Sequence, residues 1–167
     1  LRMRGRPKIK LARTYEEAVA IYNKYPNNML GIVTDVSFKR AGEKDKKAGL
    51  KFCSYIREKD EFLPIIIESS EVENQKDAMF LNACFLDKNS KKLPVDLRKT
   101  ILRNFGFGDF EFINPHTGEV IATVRNLKDL QNTIMSIPDE SLYYHGSRNH
   151  ISRWLYSRAM FPIAELL

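Results

Sequence analysis

Three short apolar runs, each closing on a polar residue, constrain this chain more than any other feature. They are "MLGIVT" before Asp35, "LPIIIESS" ending on Ser69 and Ser70, and "FLDK" ending on Lys88. Runs of this length without polar alternation are the pattern of parallel strands covered on both faces. Amphipathic stretches separate them. After a lysine-rich loop, "KRAGEKDKK", the residues Leu50, Cys53 and Ile56 recur at helical spacing, with Phe52 and Tyr55 beside them. "EVENQKDAMFLNA" reads as a mixed helix, and "LPVDLRKTILRNF" as an amphipathic one with Leu97, Ile101 and Leu102 inward.

An earlier strand is expected at "KIKLA", Lys8 to Ala12, where basic and apolar residues alternate. Thr14 and Glu17, three apart, then make a capping box that opens a helix with Ala18, Ile21, Tyr22 and Tyr25 on one stripe; "PNN" ends it. Strand and helix thus alternate four times, which predicts an α/β sheet with right-handed crossovers.

Gly106 and Gly108 mark a change of pattern. "DFEFI" and "VIATV" flank a Pro/Gly turn and predict a β-hairpin. "NLKDLQNTIMSI" follows as a helix with Leu127, Leu130 and Ile134 on one face. "SRNHISRWLYSRAM" is a second, capped by Ser147, with Ile151, Trp154, Leu155 and Ala159 inward. The reading therefore divides the chain into residues 1–105, an α/β domain, and residues 106–167, a small α+β module of hairpin and two helices.

Composition narrows the function classes. No run approaches the 18 or so apolar residues of a membrane span, and no signal peptide is visible. Cys53 and Cys84 fall in core segments without metal-like spacing, so they read as reduced thiols of a cytoplasmic protein. The net charge of +6 would suit nucleic acid, but much of it lies in "LRMRGRPKIK" and "KRAGEKDKK", the latter with acids interspersed. Arg148, Arg153 and Arg158 are spaced by five, which spreads them around a helix instead of along a groove-reading face, so packing is the expectation for that helix. His145 and His150 are also five apart, not the three or four of a zinc pair on one helical face; they read as structural histidines, and His116 as exposed. The chain starts at Leu1 without Met and stops within the apolar "FPIAELL", and it reads as a fragment of a longer protein.

In an open α/β sheet, binding groups gather at the carboxyl ends of the strands. Asp35, Ser69 and Lys88 would converge there as carboxylate, hydroxyl and ammonium. A carboxylate can accept a phosphoryl group, a hydroxyl can hydrogen-bond its oxygens, and an ammonium can neutralise its charge.

On these residues the chain, from about Lys8 to Phe105, resembles the receiver domain of two-component response regulators. "GIVTDVSF" is similar to the strand carrying the phosphoryl-acceptor aspartate, here Asp35. "PIIIESS" is similar to the next strand with its Thr/Ser, here Ser69. "FLDK" is similar to the last strand with its lysine, here Lys88, and Phe85 stands where the aromatic switch residue belongs. "AGLKF" matches the Gly-led helix start after the acceptor strand. The resemblance implies an incomplete flavodoxin-like parallel sheet, since the family's first strand and its acidic pair do not precede "KIKLA"; Arg2, Arg4 and Arg6 occupy that space. It further implies a magnesium ion held by Asp35 and the Ser37 carbonyl, completed only by acids supplied upstream. The loop after Asp35 is longer and more basic than the family's, and Asn89 replaces the proline that usually follows the lysine.

Residues 106–167 resemble a linker module of large bacterial proteins related to phosphoenolpyruvate synthase and pyruvate, phosphate dikinase, in which a receiver-like domain precedes the PEP/pyruvate-binding part. The implied function is phospho-signalling control of such an enzyme. A histidine kinase or other phosphodonor and the downstream catalytic domain would be the partners. No phosphate-cradling glycine loop marks the fragment itself as an enzyme. A degenerate receiver used for docking or dimerisation is the second reading, with homodimerisation left open. A DNA-binding response regulator is the third.

Overall fold

The computed structural model describes residues 7–167, so Arg2, Arg4 and Arg6 lie outside the described residues. The chain divides into two units, Pro7–Thr100 and Ile101–Leu167.

The first unit begins with a correction. Lys8 to Ala12 has no regular secondary structure, and Ile9 and Leu11 are 96% and 76% exposed. Alternation alone does not make a strand; a partner edge must complete the ladder. The Thr14 cap holds, but the reciprocal half of the box is shifted: α1 (Tyr15–Lys24) starts at Thr14, whose hydroxyl accepts from Glu17 N at 3.2 Å, while Glu17 Oε2 accepts from Arg13 N at 2.7 Å, one residue before the cap. A single 3-10 turn, Pro26–Asn28, follows it.

The three apolar runs form β1 (Ile32–Asp35), β4 (Ile65–Ser69) and β5 (Cys84–Asp87), a parallel sheet in the order β1-β4-β5. Three parallel strands therefore alternate with helices, not four. On one face, Ile65 and Ile67 pack with Tyr22 of α1, Leu50, Phe52, Cys53 and Ile56 of α2 (Ala48–Arg57), and Ala78 of α3 (Asn74–Phe80). Burying an isoleucine of this kind stabilises by roughly 1.5–3 kcal/mol. Ile66, on the opposite face, is also fully buried. Coverage of both faces holds for β4 but not for β1, where Val33 is 43% exposed. Among the described residues no strand pairs with the outer edge of β1.

The lysine-rich segment is not a loop. It folds as an antiparallel hairpin, β2 (Phe38–Arg40) with β3 (Glu43–Asp45), whose two-residue turn has left-handed backbone at Ala41 and Gly42, φ 52° and 84°. Two consecutive left-handed residues match the twist of a hairpin. The hairpin docks on α1: Ala41 N donates to Glu16 Oε1 at 2.8 Å and the Arg40 guanidinium lies over the Tyr15 ring. Arg57, at the end of α2, donates to the carbonyls of Asp60, Leu63, Leu81 and Asn82, tying together the turns that lead into β4 and β5. The helix α4 (Leu93–Asn104) buries none of its residues, and Leu102, expected inward, is 40% exposed.

In the second unit the predicted hairpin is present as β6 (Phe110–Ile113) and β7 (Val120–Val124). Four helices follow where two were expected: α5 (Leu127–Ile134), α6 (Asp139–Ser147), α7 (His150–Ser157) and α8 (Phe161–Ala164). Ser147 is the last residue of α6 and not a cap; α7 is preceded by Asn149 in a left-handed conformation. Phe110, Phe112, Val124, Leu130, Ile151, Trp154 and Leu155 make the core. Ile151, Trp154 and Leu155 are inward as expected, whereas Ala159 lies beyond the helix with φ 58°. Arg158 donates to the Gly106 and Gly108 carbonyls at 2.7 and 2.8 Å, and its guanidinium lies 3.9 Å from the Trp154 ring centre; Trp154 Nε1 also donates to Gly108 O. These arginines hold turns in place: Arg153 is buried and donates to Arg148 O.

Candidate functional site at the sheet edge

Asp35 is the last residue of β1, and its carboxylate is half-exposed at the carboxyl edge of the sheet, while the next residue, Val36, turns back into the core. Oδ1 accepts from Ser37 N at 3.4 Å, and Oδ2 lies 2.5 Å from Lys88 Nζ. Lys88 is placed by three backbone constraints. Its own N–H continues the ladder to Ser69 O at 2.9 Å; Asn89 N closes onto Asp87 Oδ1; and Asn89 Nδ2 donates to Ser70 O. Asn89, in the position where the resembled family has proline, thus ties the end of β5 to the end of β4.

The structure brings Asp35 and Lys88 together across β4. Ser69 is buried between them in strand order, but its Oγ accepts from Glu71 N and from Asn74 Nδ2, both at 3.0 Å. The hydroxyl proton remains available for donation. Register places Glu68 beside Asp35 on the same face, and alternation turns Ser69 to the other. Phe85 pairs with Ile67 and is partly buried against the core.

Gly49 sets the closest approach in this region. A Cβ there would stand 1.9 Å from Asp35 O, and Gly49 N donates to Val36 O at 2.9 Å. The first turn of α2 can reach the end of β1 only because that position has no side chain.

A magnesium ion finds too little here. Asp35 and the Ser37 carbonyl offer two oxygens where an octahedral ion takes six ligands. The Ser37 hydroxyl is buried without a hydrogen-bond partner, but one hydroxyl does not complete the set. Among the described residues no group of three or more His, Cys, Asp or Glu could hold a metal. The residues present do not by themselves form the site.

Asn74 is the contributor that sequence reasoning missed. Gly49, the glycine of "AGLKF", and Asn89, standing where proline was expected, were visible in the sequence, but their contacts were not. Away from this edge, Cys53 is buried, its thiol pushed up to about 12 by desolvation, and neither cysteine is in a disulfide. His116 is exposed as expected. His145 and His150 lie on different helices, yet their Nδ1 atoms are 3.0 Å apart. His145 Nε2 accepts from Ile113 N, so its proton sits on Nδ1 and is donated to His150. This is a closed structural pair.

Compared with family models, curated proteins and solved structures, the chain matches none. What it shows is a mixed α/β fold with a three-stranded parallel sheet. No helix among the described residues is long and apolar enough to cross a membrane.

Proposed function

We propose that residues 7–100 form a receiver-like regulatory domain in which Asp35 accepts a phosphoryl group, and that the sheet is the second half of a flavodoxin-like one. The observation that carries this reading is the Lys88–Asp35 contact across the carboxyl ends of a parallel sheet in the order β1-β4-β5. Asp35 Oδ2 would attack the phosphorus of a donor acyl or histidyl phosphate, with the donor's carboxylate or imidazole leaving. Lys88 would neutralise the added charge, trading its contact with the carboxylate for one with the phosphoryl oxygens. Ser69, which faces the other side of the sheet, would leave its bonds to Glu71 N and Asn74 Nδ2 and swing over the strand end to donate to the phosphoryl group, and Phe85 would repack behind it. Magnesium, if upstream acids complete its site, belongs to this reading, as do a kinase partner, a cytoplasmic location and a downstream catalytic domain related to phosphoenolpyruvate synthase.

Acetyl phosphate with magnesium, offered to a chain extended upstream, should add one phosphoryl group at Asp35, read by mass spectrometry of the intact protein. Asp35→Asn should carry none. An unmodified wild-type chain that binds its partner domain equally well with and without phosphodonor would replace this reading with that of a docking module.

A further inference from the structure

We infer that the hairpin following Asp35 and the start of α1 together form a binding site for a small phosphorylated ligand, separate from the Asp35 edge. Arg13, Thr14, Glu17, Phe38, Lys39 and Lys44 line a concavity of about 540 Å³. The concavity is shallow and open to solvent.

Its charge is unbalanced by construction. Lys39 and Lys44 are direct cross-strand partners in the β2–β3 register, and both line the hollow. Like charges in that relation destabilise a hairpin. The nearby acids do not relieve them. Asp45 is engaged by Lys51 at 2.7 Å and by Arg40 at 3.6 Å, and Glu16 caps the Ala41 N–H. Glu17, the one carboxylate in the lining, is held by Arg13 N. Among the described residues none of Arg13, Lys39 and Lys44 has an ion-pair partner. Three cations against one carboxylate leave the hollow positive by two.

The site is also held in shape. A parallel bridge joins Thr14 to Lys39, fixing the approach to α1 against β2, and Phe38 is partly buried against the core of the unit. The lining therefore combines one aromatic residue, Phe38, with the three cations. A compact dianion attached to an apolar or planar group satisfies both, which is the chemistry of a nucleotide or sugar phosphate.

The chain would be titrated with pyrophosphate and with ADP at fixed ionic strength, followed by calorimetry and by amide shifts. Saturable binding with shifts at Thr14, Phe38, Lys39 and Lys44 is expected, ADP binding more tightly than pyrophosphate. Lys39→Ala with Lys44→Ala should weaken ADP by about tenfold or more, given the usual worth of charged hydrogen bonds. Lys91→Ala with Lys92→Ala, which removes the same charge elsewhere, should leave binding unchanged. Lys44→Glu separates this role from a structural one: it should abolish binding while raising the thermal midpoint, because it converts a repulsive cross-strand pair into an attractive one. Absence of saturable binding, or equal loss in the Lys91/Lys92 variant, would overturn the proposal. So would a short oligonucleotide binding through the same lysines more tightly than ADP.

Discussion

The carbonyl oxygen of Asp35 lies 1.9 Å from where a Cβ on Gly49 would stand. The conflict is between backbone and side chain in two elements that also share the Gly49 N to Val36 O hydrogen bond. Neither can withdraw without breaking that bond or moving α2 off Ile65 and Ile67. Gly49→Ala should therefore destabilise the first unit by about 3 kcal/mol, at the upper end of overpacking costs, although alanine favours helix elsewhere. Urea unfolding followed by far-ultraviolet circular dichroism reads the change, and a variant as stable as the parent would show that β1 and α2 do not meet this closely.

Arg57 is the second residue whose loss should be felt far from its own helix. Its guanidinium serves four carbonyls, three of them at 2.8–3.0 Å, and burial holds its pKa below the ordinary arginine value. Arg57→Ala leaves those carbonyls to find water, at a cost of about 3 kcal/mol or more. Arg57→Lys should recover little, because one ammonium cannot reproduce a planar fork directed at several acceptors. Full recovery by lysine in denaturant titrations would indicate that charge, not geometry, matters at this position.

Much of this was legible in the residues, and the part that was not has a physical cause. Asp35 and Lys88 could be read because each closes an apolar run, and a parallel strand must place its last residue at the sheet's carboxyl edge. "KIKLA" carried the same alternation as a strand without a neighbour to pair with. The β2–β3 hairpin was hidden because its three-residue strands are mostly charged, and because Ala41-Gly42 is a weaker turn signal than Asn-Gly. The helix α6 was concealed by Gly146, which looks like a breaker but sits in its last turn with open space around it. The hydrogen bonds of Ser69 and Asn89 depend on strands meeting in space, which spacing along the chain does not encode.

The Lys88–Asp35 pair separates function from stability. Its side chains are 32% and 46% exposed, so water screens most of the attraction. Lys88→Ala should change unfolding free energy by less than about 1 kcal/mol. If Asp35 accepts a phosphoryl group as proposed, the same substitution should uncouple that transfer from any change in the amide spectrum around Phe85. A large loss of stability with an intact spectral response would make Lys88 a structural residue.

The buried histidine pair should make the second unit sensitive to mild acid. Burial holds His145 and His150 down at about 4 from an ordinary 6.5, with Arg148 adding to the effect on His145, and with His145, Arg153 and Arg148 adding to it on His150. Between those values the unfolded chain binds protons that the folded unit refuses, so stability rises with pH across the window. It is complete above about 6.5 and is lost as the pH falls toward 4. One histidine so displaced corresponds to roughly 3 kcal/mol, and the coupled pair to less than twice that. The lowered carboxylates Glu16 and Asp45 act only below their ordinary 4.5 and 3.8, and both are in the other unit. Trp154, the single tryptophan, reports on the second unit alone. Urea midpoints from its fluorescence should climb from pH 4 to 6.5 and then level. His150→Gln keeps an acceptor for the His145 proton but cannot titrate, so it should reduce that slope by about half. A midpoint flat across the window in the parent chain would mean that the two rings are not buried as neutral partners.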